Sequence, residues 1–232
     1  MRAVFDHPLF FKITVNLKYE LLAVCRCYQD MIYPLLFLIL VIVLFPLSVS
    51  PDPVLLNKIS AGIFWIVVLF LVLLMLDQLF RNDWKEGDLE QLILTPNALS
   101  LAIFIKLLVF CLAISLPLIV MTPFLSLCLY IPIRALKTLC WSIFLGTPSL
   151  LFLGGIARAL TLGLRHSGLL IVLIVIPFYI PVLIFASSAV SFASMGSSAN
   201  GPLAWLSVLM LMSVSLSPLV IRMILRLGIA FV

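Results

Sequence analysis

Beyond Glu90 the chain contains no aspartate or glutamate, and of its 232 residues only 10% are charged while 65% are hydrophobic. The second half therefore cannot assemble the paired carboxylates that acid–base catalysis commonly uses. A Gly-x-x-x-x-Gly-Lys-Ser/Thr sequence is also missing, so no phosphate cradle of that type can be built, and any ATP must be hydrolysed by another chain. Histidine is limited to His7 and His166, which are not paired at a metal-ligand spacing. Cys25 and Cys27 have one residue between them rather than the two of thioredoxin-like or haem-attachment motifs. Cys111, Cys128 and Cys140 fall in or near apolar stretches, where a thiol packs as a small apolar group. The chain has no basic strip with interleaved aromatics, so its net charge of +5 does not point to nucleic acid. Few ionisable groups lie within the apolar stretches, which speaks against an ion-coupled transporter.

What the sequence has in abundance is long apolar runs. No formal charge occurs between Asp30 and Asp52, Lys58 and Asp77, Lys106 and Arg134, or Lys137 and Arg158, and each interval holds one bilayer span of about 20 residues. The last run, Ser167 to Ile221, would form a helix of about 80 Å, far longer than a hydrocarbon core of about 30 Å. It must fold back, and the stretch Ser187 to Pro202, rich in Ser, Gly and Asn, is where a turn is expected. The reading is an all-α polytopic membrane protein of six transmembrane helices.

Six spans put both termini on one side. That side collects Arg2, Lys12, Lys18, Arg26, Arg81, Lys85, Lys106, Arg158, Arg165, Arg222 and Arg226, against Lys58, Arg134 and Lys137 opposite. Cytoplasmic loops retain Lys and Arg, so both termini are expected in the cytoplasm, with the excess positive charge facing anionic lipid headgroups. Residues 1–30 scatter charges throughout and lack the apolar core of a cleavable signal. Within them Leu9, Phe10, Ile13, Leu17, Leu21 and Val24 share one helical arc, with Lys12, Asn16 and Arg26 opposite. This predicts an N-terminal amphipathic helix in the interface plane. Glu20 at the edge of the arc and Phe11 behind it leave a bundle-packed helix as the alternative. The organisation is thus a cytoplasmic segment over 1–30 and a six-helix transmembrane domain over 31–232, with a cytoplasmic loop over 77–100.

That loop gathers five of the nine acids, Asp77, Asp83, Glu86, Asp88 and Glu90, with Arg81 and Lys85 among them. Asp88 can cap a short helix with Gln91 three positions on; Leu89, Leu92 and Ile93 give it an apolar side, and Pro96 ends it. A solvated connector between two spans would carry similar charges, so physical chemistry alone leaves both readings open. Further on, Gly155, Ala159 and Gly163 repeat every four residues and predict a small-residue face for close helix packing. Pro177 and Pro181 each remove a backbone donor and predict a bend in the fifth span, which suits a bundle that shifts between packings and static packing alike.

The segment Lys85-Glu86-Gly87-Asp88-Leu89-Glu90-Gln91-Leu92-Ile93-Leu94-Thr95-Pro96 resembles the Glu-Gly-x-Leu-Glu-x-Leu-Leu-x-Thr-Pro signature of ABC-2 type permeases, and it stands in the same place, after the second span. Further stretches resemble the haem exporter protein B (CcmB) family of the cytochrome c maturation system. These are Tyr33 to Phe37, Leu44 to Leu47, Asp77 to Asp83, Leu145 to Leu150, Ala159 to Arg165 and Pro177 to Phe185, so the resemblance covers nearly the whole chain. Ser167 and Ser187 stand where the family pattern leads one to expect Gly.

The resemblance implies a non-catalytic permease subunit of the bacterial inner membrane, with an amphipathic helix before the first span and a coupling helix that docks on an ATPase subunit. Asp83, Lys85, Glu86, Gly87, Asp88, Glu90 and Gln91 are the residues expected to make that contact. It further implies two copies of the chain on two copies of the ATPase CcmA, in association with the haem-handling protein CcmC. No cofactor is expected on the chain itself: ATP acts through the partner, and haem is handled by the complex. The work done would release the haem-loaded chaperone CcmE from CcmC; direct haem translocation, or transport of a lipid or polysaccharide by an ABC-2 permease, are the alternatives. Release is preferred because the chain has no Trp-rich haem motif and no histidine on the periplasmic side.

Overall fold

The computed structural model describes residues 28–49, 52–77, 79, 99–161 and 167–229. They form six α-helices in series: α1 (Tyr28–Val49), α2 (Pro53–Leu76), α3 (Leu99–Cys128), α4 (Ile133–Leu160), α5 (Ser167–Ser194) and α6 (Asn200–Ile229). All six are long and apolar enough to cross a membrane, and the described residues contain no strand. The all-α, six-span architecture is therefore as expected. The predicted amphipathic helix within residues 1–30, the loop residues Asp83, Lys85, Glu86, Gly87, Asp88, Glu90 and Gln91, and Gly163 lie outside the described residues.

The helices overrun the charge-free intervals. Lys106 lies inside α3, Arg134 and Lys137 lie in the first turns of α4, and Arg158 lies in its last turn. Long cationic side chains tolerate this because the aliphatic stem lies along apolar surface while the charge reaches toward the interface. α3 and α6, at 30 residues each, are about 45 Å long and exceed the hydrocarbon core.

The fold-back between α5 and α6 is tighter than the serine-rich stretch suggested. Residues 187–194 remain helical, as do Asn200 to Pro202, and the turn occupies only residues 195–199. Serine stays in the helix by returning its hydroxyl to its own backbone: Ser187 Oγ donates to the Leu183 carbonyl (2.7 Å) and Ser194 Oγ to that of Val190 (2.9 Å). What ends α5 is Gly196, at φ +78°. Its N–H donates to the Ala193 carbonyl (3.1 Å) and that of Ser197 to Phe192 (2.9 Å), the paired bonds of a Schellman cap.

α3 ends in the same way. The N–H of Tyr130 donates to Leu127 (3.3 Å) and that of Ile131 to Ser126 (2.9 Å), with Tyr130 itself at φ 53° and Pro132 preventing any continuation. Side chains tie these turns to their neighbours. Asn57 Nδ2 of α2 donates to the Tyr130 carbonyl (3.0 Å), and Arg134 of α4 donates to the Ser194 carbonyl at the C-terminus of α5 (2.6 Å).

α4 is the hub, packing against α2, α3, α5 and α6. Glycines on two sides of it allow this. A Cβ at Gly146 would stand 2.9 Å from Cζ3 of the fully buried Trp65 of α2. One at Gly154 would collide with Leu76 of α2 and the Tyr179 hydroxyl of α5, and one at Gly155 would lie 2.9 Å from Leu107 of α3 and 3.4 Å from Ile221 of α6. Small residues permit close backbone approach, the main route to helix association where lipid removes any hydrophobic drive between helices. α1, in contrast, buries only a narrow stripe, Pro34, Leu38 and Ile42, where it packs on α2 and α3.

Candidate functional site at the loop end of the bundle

Successive helices run in alternating directions, so residues 78–98 and 162–166 connect helices at one end of the bundle and the turns at 129–132 and 195–199 at the other. The loop end carries an ion pair between helices: Arg158 of α4 to Asp77 at the end of α2. Asp77 closes α2, its N–H donating to the Met75 carbonyl. Two residues on, the N–H of Leu79 donates to the Leu76 carbonyl (3.2 Å), and the Leu79 side chain is buried. On the other side of the loop Leu99, the first residue of α3, is fully buried as well. Both roots of the loop are thus anchored by leucines.

Arg158 is 7% exposed. One of its guanidinium nitrogens, NH2, lies 3.3 Å from Oδ1 of Asp77 and also donates to the Asp77 main-chain carbonyl at 3.3 Å. The same cation thus neutralises a carboxylate and covers a carbonyl at the negative end of α2. The Asp77 side chain is 45% exposed, so water screens the pair on one side, and both contacts are longer than the 2.7 to 2.9 Å of a tight charge-assisted bond. Behind Arg158, Thr161 finishes α4 by donating its hydroxyl to the carbonyls of Ala157 (3.0 Å) and Arg158 (3.2 Å).

Arg158 reaches Asp77 because Gly154 stands one turn before it on the same side of α4. Gly154 lets α4 lie against Leu76, so the next residue of α2, Asp77, falls under the guanidinium. Farther into the membrane Tyr179 of α5, fully buried, donates its hydroxyl to the Leu150 carbonyl of α4 (2.6 Å), a bond that also passes over Gly154.

Of the residues singled out from sequence, Gly155 and Ala159 are both buried on α4, and Gly155 faces α3 and α6. Pro177 and Pro181 lie inside α5, which runs unbroken through both. The Asp77–Arg158 pair is not among the features read from sequence, where Arg158 marks the end of an apolar interval and counts toward the charge on the cytoplasmic side. Yet a signal existed: with no acid beyond Glu90, any carboxylate facing Arg158 must come from the first 90 residues. Gly146 and Gly154 were likewise passed over, although both flank bulky partners.

A bundle of six apolar helices, each long enough to cross a membrane and packed around a central helix with glycines at its contacts, defines an all-α multi-pass membrane protein. A model of the CcmB protein family matches residues 11–228. The chain is 42% identical over 212 residues to heme exporter protein B of Haemophilus influenzae, covering 91% of this chain and 96% of that protein. It is also 42% identical over 188 residues to heme exporter protein B of Pseudomonas aeruginosa (81% and 84% covered), and 38% identical over 212 residues to that of Escherichia coli (91% and 96% covered). The chain belongs to the CcmB family.

Proposed function

We propose that this chain is the membrane permease subunit of an ATP-driven haem-export complex serving c-type cytochrome biogenesis, and that it couples ATP hydrolysis by the partner ATPase CcmA to release of the haem-loaded chaperone CcmE from CcmC. It lies in the bacterial inner membrane with both termini in the cytoplasm, hydrolyses nothing itself, and works as two copies on two ATPase subunits.

The observation that carries this reading is the place of the acidic segment Lys85 to Pro96. In a chain of the CcmB family, it follows in sequence the end of α2, where Arg158 meets Asp77, and precedes α3. The orientation is supported by eleven of the fourteen Lys and Arg residues falling on that side. The name that the relatives share, heme exporter protein B, supports haem as the species handled by the complex.

The test replaces Asp83, Glu86, Asp88 and Glu90 by their amides in a strain lacking its own copy. The chain should remain in the membrane, CcmA should no longer copurify with it, and haem-stained c-type cytochromes should disappear. Wild-type cytochrome yield with the four amides in place would refute the coupling role. Loss of an envelope lipid or glycan in the deletion strain, with cytochromes intact, would refute the pathway.

A further inference from the structure

The buried cation at the end of α4 is not needed for packing. An apolar residue of similar volume would fill the same space without the desolvation penalty of a guanidinium, and a half-exposed ion pair adds little to stability. The pair joins two particular places, however: the residue that caps α2, from which the loop departs, and the last turn of the helix that packs on four others. α4 has little slack at this level. Gly154 and Gly155 bring it into close contact with Leu76 and Tyr179 on one side and with Leu107 and Ile221 on the other. A displacement of α4 there meets side chains that already lie against its glycine backbone.

We propose that the Asp77–Arg158 ion pair is the mechanical link that makes the end of α4 follow the end of α2, so that force arriving at the start of the 77–100 loop passes to α4 and from it to α2, α3, α5 and α6 together. This rests on the coupling function proposed above and names the residue that executes it inside the bundle. Arg158 is a positioning residue: it acts through Asp77.

The test compares Asp77→Asn, Arg158→Gln, Arg158→Lys and the exchange Asp77→Arg with Arg158→Asp, each expressed with the complete set of partner subunits. Three quantities are read: chain in the membrane, ATP turnover of the purified complex, and c-type cytochrome formed. Asp77→Asn and Arg158→Gln should leave membrane level and ATP turnover within about twofold of the parent, while cytochrome formed per ATP falls about tenfold, the size expected for breaking one element of a coupled network. Arg158→Lys, which keeps the charge but has a single donor group, should fall between. The exchange should recover at least about threefold over either single neutral variant.

Full cytochrome yield per ATP in the neutral variants overturns the proposal. So does a fall in yield that merely tracks the amount of chain in the membrane, or failure of all four variants, Arg158→Lys included, to accumulate, since the pair would then be a structural support. The loop amides assayed in parallel separate the two readings. If they uncouple and the Arg158 variants do not, the link is wrong and the docking loop stands; if neither set uncouples, the coupling function itself falls.

Discussion

A single methyl group at Gly154 is a stringent probe of the bundle. A Cβ built there collides with Leu76 Cδ1 and the Tyr179 hydroxyl and stands 2.9 Å from Leu76 Cδ2. The leucine can turn away, but the phenol cannot do so freely, because its hydroxyl is held at 2.6 Å from the Leu150 carbonyl. Overpacking of this kind costs about 1–3 kcal/mol, and weakening one interhelical hydrogen bond in a membrane protein about 0.6–1.7 kcal/mol. Replacing Gly by Ala in a helix returns about 1 kcal/mol through propensity. The net expectation for Gly154→Ala is a loss of about 2 kcal/mol. Tyr179→Phe alone loses the hydrogen bond, about 1 kcal/mol. It also removes the atom that obstructs the methyl, so the double variant should lose about 2 kcal/mol instead of the additive 3, a coupling of about 1 kcal/mol. Unfolding of the purified protein in mixed micelles, followed by tryptophan fluorescence, gives all four corners of the cycle. Strict additivity, or a Gly154→Ala protein as stable as the parent, would refute the packing argument.

Other positions can be checked in the same assay. Gly146→Ala should lose more than Gly154→Ala, by about 1 kcal/mol, because the obstructing group is the ring of a fully buried Trp65. Gly196→Ala should lower stability by about 1–2 kcal/mol, since an alanine at φ +78° is strained even though the nearest atom to its Cβ, a nitrogen of Arg134, is 3.5 Å away. Orientation can be read with a membrane-impermeant maleimide on intact cells. Ser198→Cys, in the exposed turn after α5, should label, and Gln91→Cys should label only after the cells are opened; the reverse pattern would invert the topology.

The number of spans was legible because charge is expensive inside lipid, and the runs bounded by Asp52, Asp77 and Arg158 each became one helix. Helix ends were less so. Lys106 bounds an apolar interval yet lies well inside α3, because a long side chain can carry its charge out of the membrane. Serine, taken as a turn former between Ser187 and Pro202, proved compatible with helix once its hydroxyl found the preceding turn, and only Gly196 reversed the chain. Proline misleads in the same direction. Pro34, Pro46, Pro117, Pro123, Pro148 and Pro218 also lie within helices, as buried or lipid-facing helices permit. The Asp77–Arg158 pair depends on which helices are neighbours, and apolar runs that look alike carry no such information. The four-residue spacing of Gly155, Ala159 and Gly163 drew attention to one side of α4; Gly154, which faces Leu76 and Tyr179 instead, stands outside that repeat.

The turns at 129–132 and 195–199 are clasped by the same pair of backbone bonds, and Asn57 and Arg134 brace them to adjoining helices, so in the coupling proposed above that end serves as the pivot. From Ile133 to Arg158 the rod of α4 measures about 38 Å at 1.5 Å per residue. Tilting it by about 5° sweeps the guanidinium through about 3 Å, as far as it now stands from the carboxylate, at 3.3 Å. Leverage of this sort turns a slight rotation at one membrane face into a side-chain-sized stroke at the other.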